Sequence, residues 1–267
     1  MPGIRAAASA AGEAVRLTPR SLLVAILLLA AAPAAWPLAM FSIEHKGVEY
    51  DIVRLDRGEE QRLGLYWKRA DGTPYTTIHA LREELEKEGK RLLFATNGGI
   101  YSKSFTPLGL YIENGKRHYR LNRGEGGGNF FLLPNGVFYI TPGGAAVVDT
   151  RDYAPEREVL QAIQSGPLLV KNGKLHPRFF ESSGSLYVRN GVGVDREGRV
   201  VFAISDMPVN FHDFATLFRD RLDAPDALYL DGSISAMYAP GVNRHGGWGI
   251  HDYTSILGLT AEEPAQE

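Results

Sequence analysis

The sequence predicts an α+β fold: a single domain with a large mixed, hairpin-rich β-sheet and two or three helices. Three observations carry this expectation. Short apolar or alternating segments recur along the chain, each bounded by turn residues. Only two stretches place apolar residues at helical spacing. Glycine is abundant, 30 of 267 residues, as a turn-rich β body requires.

The elements follow in chain order. Val48–Leu55 (VEYDIVRL) alternates loosely and reads as a strand, and Leu63–Trp67 (LGLYW) as a second. Thr76-Thr77 introduces IHALREELEKEGK, in which Ile78, Leu81 and Leu85 share one helical face and Gly89 ends the helix. Leu92–Thr96 is a short apolar strand running into Asn97-Gly98-Gly99. Hairpins come next: Leu110–Ile112 with Lys116–Tyr119 across Asn114-Gly115, and Phe130–Leu133 with Val137–Ile140 across Pro134-Asn135-Gly136. Leu168–Val170 precedes Asn172-Gly173, and Asn-Gly supplies the positive φ of tight turns. Arg189–Val194 and Val200–Ile204 flank Arg196-Glu197-Gly198. Asn210 caps a second helix carrying Phe211, Phe214, Leu217, Phe218 and Leu222. Ala227–Leu230 is a buried strand ending in Asp231-Gly232-Ser233, and Tyr253–Leu259 is the last strand.

Composition excludes several function classes. The formal net charge is -2, so there is no basic excess with which to hold nucleic acid. Cysteine is absent, which excludes disulfides, zinc–thiolate and iron–sulfur sites, a thiol nucleophile and a lipid-modified cysteine. Residues 1–40 read as a signal peptide or N-terminal membrane anchor: Arg5, Arg16 and Arg20 flank an uncharged run whose most apolar part is Leu22–Leu29, with a small-residue tail after it. Residues 41–260 form the expected domain and 261–267 an acidic tail. The body is then exported, periplasmic or anchored to face the periplasm, touching membrane only through its N-terminal segment.

Chemistry concentrates at strand tips. Three apolar strands end in polar, glycine-rich corners, at 94–99, 162–167 and 228–233, and a fourth, 189–194, begins with an arginine. Were these corners to converge, they would bring an amide, a hydroxyl, a cation and a carboxylate into one pocket. The glycine run 124–128 lacks the Lys-Ser/Thr of a phosphate loop and reads as a hairpin loop. Seven scattered histidines show no metal-binding spacing, although His245 and His251 bracket a loop with Trp248, a residue that could stack on a sugar.

The ordered set Asn97-Gly98-Gly99-Ile100-Tyr101, Ser165-Gly166-Pro167, Arg189 with Gly191 and Gly193, and Asp231-Gly232 with Ser235 resembles the phosphodiester glycosidase family over about 92–259. That family includes the lysosomal "uncovering" enzyme, and the likeness is to its bacterial branch. The resemblance implies an exported hydrolase that cleaves the glycosidic bond of a sugar-1-phosphate diester in carbohydrate metabolism. It departs at Ser233, where the family carries a second glycine.

The chemistry suits these residues. The leaving group is a phosphate monoester, stable as an anion, so a clamp for its oxygens and one carboxylate matter more than a strong acid. Arg189 is the expected clamp. Asp231 is the expected carboxylate, as base, nucleophile or metal ligand, with Asp206 second. Asn97, Gly98, Gly99, Ser165, Gly166, Gly232, Ser233 and Ser235 are the expected substrate-binding residues. Each also has a plainer reading: Asp231-Gly232 as a turn, Arg189 as an ion-pair partner, Ser165 as a loop hydroxyl without the G-x-S-x-G of a nucleophile. A divalent cation, Ca²⁺ or Mg²⁺, would suit Asp231 as cofactor, but no ligand-loop signature accompanies it. Two other functions stay open: a non-catalytic glycan-binding module of the same fold, and a phosphodiesterase cutting the P–O bond.

Overall fold

The computed structural model describes residues 38–155, 158–231, 234–244 and 252–262. Residues 1–37 of the leader, Gly232, Ser233, His245, Trp248, His251 and the end of the acidic tail lie outside the described residues.

Among the described residues the strands build three sheets, and all their pairings are antiparallel. The first has seven strands in the order β1 (Ala39–His45), β2 (Val48–Leu55), β13 (Val200–Ser205), β12 (Asn190–Val194), β14 (Asp226–Tyr229), β10 (Leu168–Lys171), β11 (Lys174–Leu175). The second runs β16 (Val242–Arg244), β15 (Met237–Ala239), β4 (Lys90–Asn97), β17 (Ile256–Glu262), β3 (Leu63–Tyr66). The third runs β6 (Lys116–Tyr119), β5 (Tyr111–Glu113), β9 (Gln161–Ser165), β7 (Gly136–Thr141), β8 (Gly144–Asp149). The fold is therefore largely β, with two short helices, α1 (Ile78–Lys87) and α2 (Phe211–Thr216), the latter continuing as a wider turn over Leu217–Arg221.

The single mixed sheet is thus corrected to three antiparallel ones, for a topological reason. Each helix joins two strands that run parallel to each other, β3 to β4 and β13 to β14. In each case a third strand, β17 or β12, is inserted between them and pairs antiparallel with both. The insertion removes the direct parallel pairing that a helical crossover otherwise produces.

Local chemistry explains the elements. Thr77 caps α1, its hydroxyl accepting from the Ala80 N–H at 3.0 Å, and Gly89 beyond its end has φ 71°. Asn210 caps α2 by accepting from the Asp213 N–H at 2.8 Å. Asn114-Gly115 and Asn172-Gly173 both take two successive positive φ values, the primed turn their strands need. Two expectations fail locally. Phe130–Leu133 is no strand: Asn129–Phe131 form a single 3₁₀ turn, and β7 pairs instead with β8 and β9. The boundary at residue 40 falls inside β1, which pairs with β2 from Ala39↔Arg54 to His45↔Val48.

The inner faces of the three sheets share one core, including Phe94, Tyr111, Phe138, Phe202 and Leu228. α2 and the wider turn after it cover the other face of the seven-stranded sheet with Phe214 and Phe218, and α1 covers the second sheet with Ile78, Leu81 and Leu85.

Candidate functional site

The C-terminal ends of β4 and β14 lie beside the N-terminal ends of the strands inserted next to them. There the motif corners meet. The Asn97 side chain, at the tip of β4, donates from Nδ2 to the Asp231 carbonyl at 3.1 Å. Its Oδ1 accepts from the Ala236 N–H at 2.8 Å and from Asn190 Nδ2 at 2.9 Å. Asn190 Nδ2 also lies 2.8 Å from Thr96 Oγ1 and 3.1 Å from the Asn97 carbonyl. Asn190 Oδ1 accepts from the Asp231 N–H at 3.2 Å and the Ser235 hydroxyl at 3.1 Å. Ser165, ending β9, donates to the Leu230 carbonyl at 2.6 Å, and the Ile100 N–H lies 3.5 Å from its Oγ. The four corners are one hydrogen-bonded cluster around the backbone of Asp231.

Burial changes what most of these side chains can do. Asn97, Ser165, Asn190 and Ser235 are buried, and their polar atoms bond protein groups. A buried polar group that already has its partners holds structure together. Asn97, Ser165 and Ser235, the expected substrate-binding residues, are placed inside this hydrogen-bonded cluster. Asn190 is the member that sequence reasoning missed. It could have been found as the lone amide in an apolar strand, one position from an arginine facing the opposite side.

The glycines behave similarly. A Cβ on Gly98 would strike Ser255 Oγ and Ile163, and one on Gly99 would lie 2.8 Å from the Gln164 carbonyl. A Cβ on Gly166 would lie 2.7 Å from that of Asn135. What approaches these backbones closely is the protein itself, where a ligand was expected. The Gly98 N–H donates to the Ser255 carbonyl at 2.8 Å.

Arg189 is placed otherwise than a phosphate clamp requires. Its guanidinium is 0% exposed. Nε donates to the Val209 carbonyl at 2.8 Å, a terminal nitrogen to the Ser185 carbonyl at 2.9 Å, and the other lies 3.3 Å from the Tyr229 hydroxyl. The ring of Phe211 lies beneath it, 3.6 Å from the guanidinium carbon to the centroid. Burial pushes its pKa below the ordinary arginine value, and Tyr229 opposes the shift. The side chain fastens the 185–188 and 207–210 segments to the sheet. Asp206 follows the last residue of β13 at the same end of the sheet, its N–H donating to the Glu49 carbonyl at 2.9 Å, with β12 between β13 and β14.

Asp231 is nearly buried, 9% exposed, and its backbone is held from three sides. Tyr101, the last residue of the first motif, stands near it. Burial, then the charges of Asp231 and Asp252, push the Tyr101 hydroxyl up to about 12, so it keeps its proton throughout ordinary pH. That hydroxyl donates to the Asp252 carbonyl at 2.7 Å.

Among the described residues, Glu181, His212 and Asp213 have the spacing of a cation site. Lys46 Nζ already bridges Glu181 at 2.6 Å and Asp213 at 2.9 Å, supplying the positive charge there. Two cavities of about 510 and 470 Å³ on the outer face of the third sheet share no lining residue with the Asp231 cluster.

The chain is 42% identical over 183 residues to the uncharacterised protein YigE of Escherichia coli, covering 68% of this chain and 72% of that one. Its fold is similar to the catalytic domain of zebrafish N-acetylglucosamine-1-phosphodiester α-N-acetylglucosaminidase, solved in a form auto-inhibited by its pro-peptide. The TM-score is 0.57 at 16% identity, over 83% of this chain and 81% of that one. A family model described as phosphodiester glycosidase matches residues 90–257, the stretch that holds the whole hydrogen-bonded cluster. By that match, which spans more than half of its length, this chain belongs to the phosphodiester glycosidase family.

Proposed function

We propose that this chain is an exported hydrolase that splits the bond between the anomeric carbon and the phosphate oxygen of a sugar-1-phosphate diester, with Asp231 as its main carboxylate. The observation that carries this reading is the gathering of all four motif corners around the backbone of Asp231. A carboxylate whose main chain is held by Asn97, Asn190 and Ser235 is preorganised, as general-base or nucleophilic chemistry demands. Water adds to the anomeric carbon, its proton passes to Asp231, and the C–O bonding pair leaves with the phosphate monoester. That group is a stable anion and needs no strong acid. Arg189 acts in this reading as a positioning residue. Export rests on the charge and hydropathy pattern of residues 1–40. Among the described residues no helix is long and apolar enough to cross a membrane.

The purified protein should release free sugar from a sugar-1-phosphate diester. In ¹⁸O-water the label should enter the sugar, whereas label in the phosphate would mean P–O cleavage. Asp231→Asn should lower kcat by about a hundredfold or more. Glycan binding with no product after long incubation would identify a non-catalytic module instead.

A further inference from the structure

The loop between Tyr101 and Pro107, which pair antiparallel, carries local strain close to the cluster. Phe105 has φ 53°, a left-handed conformation that costs an aromatic residue about 1–2 kcal/mol. The turn itself does not call for an aromatic. The Ser102 N–H donates to the Thr106 carbonyl at 2.9 Å and the Phe105 N–H to the Ser102 carbonyl at 3.0 Å. The Ser102 and Thr106 hydroxyls meet at 2.8 Å, and the Ser104 N–H donates to Ser102 Oγ at 3.1 Å. Glycine or asparagine would close the same turn at lower cost.

The strained residue is nonetheless a large ring, 36% exposed. It stacks on Tyr101 with centroids 5.4 Å apart and planes 22° apart. Both ends of this stack are anchored. Trp67 Nε1 donates to the Phe105 carbonyl at 3.3 Å, and the Tyr101 hydroxyl to the Asp252 carbonyl at 2.7 Å. Tyr101 stands four residues beyond Asn97, whose amide holds Asp231. Backbone strain kept by so many bonds, displaying an exposed aromatic on the loop that follows the Asn97 corner and stacked on the tyrosine that feels the Asp231 charge, points to ligand contact.

We propose that Phe105, backed by Tyr101, is a stacking platform for a pyranose ring, the sugar half of the substrate. One face of a pyranose presents a row of polarised C–H groups, which pack against the negative face of an aromatic ring. The inference rests on the glycosidase reading above for its substrate class.

The test uses the purified full chain with an aryl N-acetylglucosamine-1-phosphate diester. Phe105→Gly relieves the φ strain and removes the ring. KM should rise roughly three- to tenfold, the worth of one aromatic contact, with kcat changed less and the melting temperature held within a few degrees. Phe105→Tyr should restore KM to within about twofold. Hydrolysis with an unchanged KM in Phe105→Gly overturns the platform and leaves the proposed activity standing. Should the wild type hydrolyse nothing, binding of methyl N-acetylglucosaminide followed by NMR line broadening decides separately. Weaker binding by Phe105→Gly upholds the platform; equal binding, or none by the wild type, overturns it.

Discussion

Arg189 and Asn190 are sequence neighbours that face opposite sides of one strand, and the alternation assigns them different work. Asn190 points inward and ties Thr96, Asn97, Asp231 and Ser235 together. Replacing it with alanine strands several buried groups, so Asn190→Ala should cost about 2–4 kcal/mol in urea unfolding. A loss below about 0.5 kcal/mol, the range of ordinary surface changes, would mean that the cluster is not cohesive. Arg189 points toward α2 and holds the Ser185 and Val209 carbonyls. Arg189→Met should therefore speed amide exchange in the 185–188 and 207–210 segments whether or not substrate is present. A clamp that acted on phosphate alone would leave that exchange unchanged.

At the scale of elements, the two helical crossovers are built alike. In each, a strand, a helix and a second strand enclose an inserted antiparallel strand, and the second strand runs into a residue of the cluster, Asn97 at the end of β4 and Asp231 two residues past β14. The inserted strands start where those tips end, at Asn190 and just beyond Ser255. The Gly98 N–H binds the Ser255 carbonyl, much as the Asp231 N–H binds Asn190 Oδ1. Such closeness needs the missing side chain at Gly98. Gly98→Ala should push Ser255 and Ile163 apart and cost about 1–3 kcal/mol. Thermal denaturation measures it, and a variant as stable as the parent would show that the tip has room to spare.

For the whole molecule, titration favours mildly alkaline stability. Burial pushes the pKa values of His45, His118 and His176 below the ordinary 6.5, with nearby cations helping at each. The unfolded chain then binds more protons than the folded one from about pH 6.5 downward, so their contribution is complete above that value and declines as pH falls. Burial pushes Glu113 up, and its contribution runs the opposite way, being lost as pH rises through its folded value. At Asp149 burial is outweighed by hydrogen bonds from Arg151 and Lys171, which hold the carboxyl well below 3.8; that stability disappears only in strong acid. The melting temperature should be higher at pH 8 than at pH 5.5, and His176→Gln should shrink the difference. Equal melting temperatures at the two pH values would contradict these assignments.

Much of the fold was legible because its signals are local. β2 occupies the residues that alternate, α1 starts after its capping threonine and stops before its glycine, and two Asn-Gly pairs make the turns expected of them. The inner strands at the motif corners, β4, β9, β12 and β14, lie where apolar runs meet polar tips. β1 and β8 were hidden. β1 continues the uncharged run of the leader, and β8 is a small-residue segment whose stability comes from pairing along β7.

The sequence by itself determined the family, the order of the corners and the carboxylate around which they are arranged, since these are written in residue type and spacing. Only the tertiary structure decided which way each side chain faces. Burial and partner geometry depend on strands far apart in the chain, and they made Asn190 the tie, Arg189 a buried fastener and Phe105 an exposed ring. A polar residue inside a hydrogen-bonded cluster and one that meets a ligand are the same letter in a sequence; the free energy of removing it from water separates them, and that is set by the neighbours the fold provides.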